Sequence, residues 1–256
     1  MTLTVQAPAT QRVPLDPTRK TSLVAGIFYV VSFVSIPTLI LYGPAKTHRD
    51  FITSSGSNTA VLWGCFLEVI VGLAGIGTAV TLFPVVKRQN EGMALGFVAT
   101  RTLEAAMIFT GVASLLSLVT LRQDLGAATG ANAASLITTG ASHVATYNWA
   151  FTLGQSLMPV ANALLLGTLM YRSGLVPRVI PVIGLIGAPL QFTAVILTMF
   201  GVIDRTSTAT GILVIPDVIW ELSLGIYLVV KGFKPCPITD AMLEDATPPA
   251  YRDVVA

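Results

Sequence analysis

The fold class that this sequence predicts is all-α, a polytopic membrane bundle of six transmembrane helices with both termini cytoplasmic. Three observations carry that expectation. The 256 residues are 53% hydrophobic and only 11% charged, whereas a soluble domain has about 25% charged residues. Several separate stretches of about 20 residues are apolar enough to cross a bilayer. Those stretches are continuously apolar, not alternating, which excludes a transmembrane barrel. The formal charge of +2 speaks against nucleic acid as a partner.

Residues 1–18, with Pro8, Pro14 and Pro17, read as a disordered tail. The transmembrane domain is expected over 19–233, followed by a flexible tail over 234–256. The first span covers about residues 22–41 and is stopped by Gly43-Pro44, with Pro37 bending its far end. Its apolar core exceeds the ~7–15 residues of a cleaved signal peptide, and no A-x-A site follows it. A polar loop over 46–59 leads to the second span at 60–83, which ends at Pro84. Lys87 and Arg88 form a tight connection to the third span at 93–121. The longest loop, 122–142, is rich in Gly and Ala, and part of it suits an interfacial helix. The fourth span covers 144–171 and carries Pro159. The fifth covers 178–203 with Pro181 and Pro189, and the sixth covers 209–230, entering with Pro216.

Orientation follows from the basic residues. With the N-terminus inside, cytoplasmic segments hold Arg12, Arg19, Lys20, Lys87, Arg88, Arg172, Arg178, Lys231, Lys234 and Arg252. The opposite side holds Lys46, Arg49, Arg122 and Arg205. Arg101 is left within the membrane.

Charge inside the spans is where chemistry is expected. One unpaired charged residue at mid-membrane costs about 2.5–3.5 kcal/mol on insertion scales, so five would cost roughly 10 kcal/mol or more. They must therefore face one another or water. Arg101 and Glu104 are three apart on one face of the third span, and Asp217 and Glu221 are four apart on the sixth. Glu68 lies on a small-residue stripe with Gly64, Gly72, Gly75 and Ala79, which turns it toward a neighbouring helix. Gln155 and Asn162 flank Pro159 at seven-residue spacing, and Gln191 shares the stripe of Gly184, Ala188 and Thr198. At about 1.5 Å per residue, Glu68 and Asp217 lie about 12 Å below the outer helix ends and Arg101 about 12 Å above the cytoplasmic end. Four acids and one Arg are thus expected to form one network. Fully ionised it would hold three excess negative charges, so one acid is expected to retain its proton.

A plainer reading stands beside this. Arg101 and Glu104 form an ordinary intrahelical pair, Asp217 caps amides after Pro216, and the amides are interhelical glue worth about 1 kcal/mol each. Cys65 and Cys236 match no metal spacing, and His48 and His143 make no metal motif, so no metal is expected. No cofactor is expected either, because no glycine loop precedes a Lys-Ser/Thr pair and no Lys lies at mid-membrane. Trp63, Trp149 and Trp220 suit interfacial anchoring or packing. Glu68-x-x-x-Gly72 and Glu221-x-x-x-Gly225 echo each other, but nothing else aligns between the two halves.

Several of these residues also carry a resemblance. They are Arg19-Lys20, Glu68, Arg101-Thr102-Leu103-Glu104-Ala105 and the final run from Glu221 through Gly225 to Lys231-Gly232-Phe233. From Arg19 to Phe233 the chain resembles the bacterial multi-pass membrane proteins catalogued as domain of unknown function 4386. The resemblance implies a six-helix integral membrane fold in the bacterial plasma membrane and supplies no catalytic assignment.

Three functions fit the residues. The first is binding or transport of a small or amphipathic molecule, lipophilic or anionic, with Arg101 as anion partner and Glu104 and Glu221 as proton carriers. Gln155, Asn162 and Gln191 would contribute further polar contacts. The second is a membrane-embedded acid–base enzyme on a lipophilic substrate, with Asp217, Glu68 or Glu221 as acid and base. The third is a structural or regulatory subunit. Membrane lipid is the surrounding partner in each.

Overall fold

The computed structural model describes residues 16–48, 50–54, 57–125, 127 and 129–246. The expected N-terminal tail falls outside them up to residue 15, and the C-terminal tail falls outside from residue 247.

Six helices are long and apolar enough to cross a membrane. The first span is α1 (Pro17–Ser32) followed by α2 (Ser35–Leu41). Asp16 starts it by accepting from the Thr18 amide at 2.9 Å, with Pro17 at the first helical position. That Asp-Pro start signal places the helix about one turn ahead of the expected 22. The break at Phe33 and Val34 lies four residues before Pro37, where the missing proline N–H would have bonded. Gly43-Pro44 does not end helical structure. It opens a short helix, α3 (Gly43–Thr47), with Pro44 in the first turn.

The second span, α4 (Thr59–Val86), runs past Pro84, because losing one hydrogen bond in the last turn leaves the rest of that turn intact. The third, α5 (Glu91–Leu125), starts with Asn90 Oδ1 accepting from the Met93 amide at 2.9 Å. The fourth span departs most from expectation. It starts at α6 (Ala131–Phe151), widens through a π-helical turn (Thr152–Leu157) and continues as α7 (Met158–Ser173). From Ala131 onward the Ala-rich run read as loop is helical, because alanine is the strongest helix former. Gly174, at φ 71, ends α7 in the left-handed conformation with its N–H on the Met170 carbonyl. The fifth and sixth spans are α8 (Val179–Met199) and α9 (Thr208–Val230). Within the stretch read as a flexible tail, Pro237–Ala246 forms α10, which packs on α1 and inserts Ile238 into the core.

The spans close into a ring. α1 packs on α4, α4 on α5, α5 on α6 and α7, α7 on α8, α8 on α9, and α9 back on α1. Large apolar residues such as Val80 and Ile212 remain exposed on the outside, where lipid is the solvent. Inside, one apolar cluster lies toward the face that carries the termini and includes Leu82, Phe97, Met170, Leu224 and Leu228. A second lies toward the opposite face and includes Tyr42, Ile52, Leu115, Leu118 and Tyr147. Between them lies a polar layer. At the termini face the Arg19 guanidinium donates to the Leu228 and Val229 carbonyls at 3.0 and 2.6 Å, satisfying the end of α9.

Candidate functional site

The polar layer is centred on Arg101 of α5. Its Nη1 donates to Glu104 at 3.0 Å, one turn along the same helix. Its Nη2 donates to Glu221 of α9 and, at 3.4 Å, to the Tyr29 hydroxyl of α1. α5 and α9 are not neighbours in the ring, so this pair bridges its interior. Asn162 of α7 donates to the Glu104 carboxylate at 2.7 Å and accepts from the Thr100 hydroxyl at 2.5 Å. The guanidinium also lies over the rings of Tyr29 and Phe97, with centroids at 5.4 and 5.9 Å. Both terminal nitrogens of Arg101 are therefore occupied, and only Nε is left without a partner.

Glu68 belongs to a different arrangement. Its carboxylate accepts from the Thr38 hydroxyl at 2.6 Å and from Gln155 Nε2 at 2.7 Å, with no bond to Arg101. The expected single network is thus two clusters. A regular helix would place Gln155 and Asn162 on one face. Instead the π-helical turn shifts the register, so that Gln155 reaches α4 while Asn162 reaches α5. Pro159 cannot donate to the Gln155 carbonyl four residues earlier, which favours the widened turn just before it.

Asp217 lies nine residues inside α9, and Ser207 caps that helix by accepting from the Thr210 amide. The capping role is excluded. Asp217 is 5% exposed, and its Oδ1 has no hydrogen-bond partner. Gln191 of α8 donates to the Ser156 carbonyl of the π-helical turn at 2.8 Å, leaving its own Oε1 unpartnered. Arg101, Glu104, Glu221, Asp217, Gln191 and Gln155 all line one cavity of about 240 Å³. Ser32 and Ser35, beside the break between α1 and α2, complete its polar wall, and Gly72 and Gly75 of α4 also line it. Glu68 and Asn162 support this wall from behind.

The family profile described as domain of unknown function (DUF4386) matches residues 24–232. The chain belongs to the DUF4386 family. No curated protein and no solved structure matches it. The residues by which the sequence resembles DUF4386 proteins fall at two levels of this fold. Arg101, Glu104, Glu221 and Glu68 make up or support the cavity wall, whereas Arg19 and Gly232 meet where α9 ends at the termini face. Among the described residues of this DUF4386 chain, no group of three His, Cys, Asp or Glu side chains is placed to hold a metal ion.

Two basic residues counted only for orientation are structural. Arg122 is 8% exposed, donates to the Ser54 carbonyl and Asn58 Oδ1, and stacks on Phe51 at 4.1 Å. Arg205 donates to Asn148 Oδ1 at 2.7 Å and lies over Phe151 at 5.0 Å. Only pairing across 64 and 57 residues shows this. Trp220 is a core residue packed on Gly184, while Trp63 and Trp149 are exposed.

Lys46, in α3 outside the spans, is pushed down from an ordinary 10.5 to about 8, first by burial and then by the nearby Arg205 cation. Between pH 8 and 10.5 the folded chain has shed this proton and the unfolded chain still binds it, so stability rises with pH across that window. Melting temperature should therefore rise from pH 8 to 10.5 more steeply in the native chain than in Lys46→Met. Equal slopes would show that Lys46 is not the group responsible.

Proposed function

We propose that this protein binds or transports a small or amphipathic molecule whose headgroup is a hydrogen-bond donor, a protonated amine in the simplest case. The observation that carries this reading is the pair of unpartnered acceptors, Asp217 Oδ1 and Gln191 Oε1, on adjacent helices of one cavity. A buried acceptor without a donor costs about 1–3 kcal/mol, and a ligand N–H would remove that cost. Charge supports the same class. Glu104, Glu221 and Asp217 outnumber Arg101 three to one around the cavity, and a cationic headgroup offsets the excess. Apolar residues Val71, Ile108 and Val218 on the wall suit the rest of an amphipathic molecule. In this reading the chain sits in a bacterial plasma membrane with both termini cytoplasmic, and Glu104 and Glu221 exchange protons as the solute moves.

The test uses the purified full chain in detergent with a medium-chain alkylamine and the alkyl carboxylate of equal length as probes. The amine is expected to raise the melting temperature, and Asp217→Asn is expected to remove that effect while the protein still inserts. Stabilisation by the carboxylate instead would return Arg101 to the role of anion partner and sink the amine reading.

A further inference from the structure

A second cavity, of about 200 Å³, lies toward the face opposite the termini, with Lys46, His48 and Asn148 on its wall. Asn148 is less than one helical turn from Phe151, which lines the central cavity. The two spaces are therefore neighbours along one helix. Between them stands a polar partition. Lys46 Nζ lies 5.1 Å from the centre of the Tyr147 ring, and Tyr147 meets Tyr42 edge-on at 5.2 Å. Tyr42 lies beside Cys65, which is one turn before Glu68 on α4. Glu68 in turn is held by Gln155 on the central cavity wall. Both tyrosine hydroxyls are buried; that of Tyr147 has no hydrogen-bond partner among the described residues, and that of Tyr42 meets only the weakly bonding Cys65 thiol. Both also lie in the field of the Glu68 carboxylate. Buried hydroxyls are ordinarily bonded, and water satisfies them where polar groups adjoin a space large enough to hold it.

We propose that Lys46, the Tyr147 and Tyr42 pair and Glu68 form a water-access route from the face opposite the termini into the central cavity. Toward the other face, among the described residues, Phe97, Met170, Leu224 and Leu228 belong to one apolar cluster. Access is thus one-sided, as a carrier open to one side of the membrane requires. The route itself stands on the partition's geometry, and only its purpose rests on the solute-binding reading above. The charged and titratable groups around its mouth are Arg205 from the connection between α8 and α9, Tyr147 from α6, Glu68 from α4 and the neighbouring His48. Burial and then the Arg205 cation bring Lys46 down to about 8, against the opposing attraction of Glu68.

The chain's two cysteines test this. Cys65 lies in the partition, and Cys236 follows α9 at the termini face. The single-cysteine chains C236S and C65S are placed in sealed vesicles of one orientation and treated with a small, membrane-impermeant anionic methanethiosulfonate. Cys65 should be labelled from the face at which Cys236 is protected, and Tyr147→Ala should raise its rate several-fold. The route is overturned if Cys65 in C236S stays unlabelled from both faces although denaturant exposes it. It is also overturned if Cys65 and Cys236 are labelled from the same face. The C236S result decides the matter even where Tyr147→Ala does not fold. Alkylamine stabilisation without Cys65 labelling would sink the route alone, and labelling without an alkylamine effect would sink the solute reading alone.

Discussion

Arg101→Met is expected to destabilise the folded chain by about 3–5 kcal/mol, the cost of removing one partner from a buried ion pair. The guanidinium is 4% exposed and is shared by two carboxylates, so its loss strands Glu104 and Glu221 together in the ring's interior. Neither has another cation within bonding distance among the described residues. Melting in detergent should fall sharply or give no folded material. Neutralising the partners as well, in Arg101→Met/Glu104→Gln/Glu221→Gln, should recover much of the loss, because buried pairs replaced as a unit are often nearly neutral. The exposed pair of Arg88 and Asp245 provides the contrast, and Asp245→Asn should cost no more than about 1 kcal/mol. An Arg101→Met chain as stable as that control would show that the carboxylates do not depend on Arg101.

Gly26→Ala is the second large effect. A Cβ at Gly26 would lie 2.7 Å from the Val229 nitrogen and 2.8 Å from the Gly225 oxygen, both backbone atoms of α9. Side chains can rotate away from an added methyl, but a packed helix must shift as a body. A cost of about 1–3 kcal/mol is expected for alanine, and a larger residue is expected to prevent folding. This crossing closes the ring between its first and last spans and keeps Tyr29 against Arg101, so cavity binding should fall together with the melting temperature. Gly75→Ala is the matched control. Nothing lies within 4 Å of its added Cβ, and its stability should be close to native. Equal losses at both positions would mean that the α1 and α9 crossing is looser than described.

Much of the site was legible one helix at a time. Arg101 with Glu104, and Asp217 with Glu221, could be placed on common faces because the helical period relates neighbours within a segment. The join of Arg101 to Glu221 was legible only as an expectation, since it depends on which helices face each other. The separation of Glu68 was not legible, because Pro159 marks a disturbed turn but not the widening that hands Gln155 to Glu68 and Asn162 to Glu104. The packing roles of Tyr42, Tyr147, Arg122 and Arg205 were not legible either. Their partners lie far along the chain.

By itself the sequence determined the six spans, the burial of charge within them and the residues that carry it. These follow from the transfer cost of apolar and charged groups and from the helical period, which act over a few turns. The tertiary structure alone decided the ring closure, the division into two polar clusters and the cavity with its unpartnered Asp217 and Gln191. Those depend on interhelical distance and register, which are set where residues remote in sequence pack together.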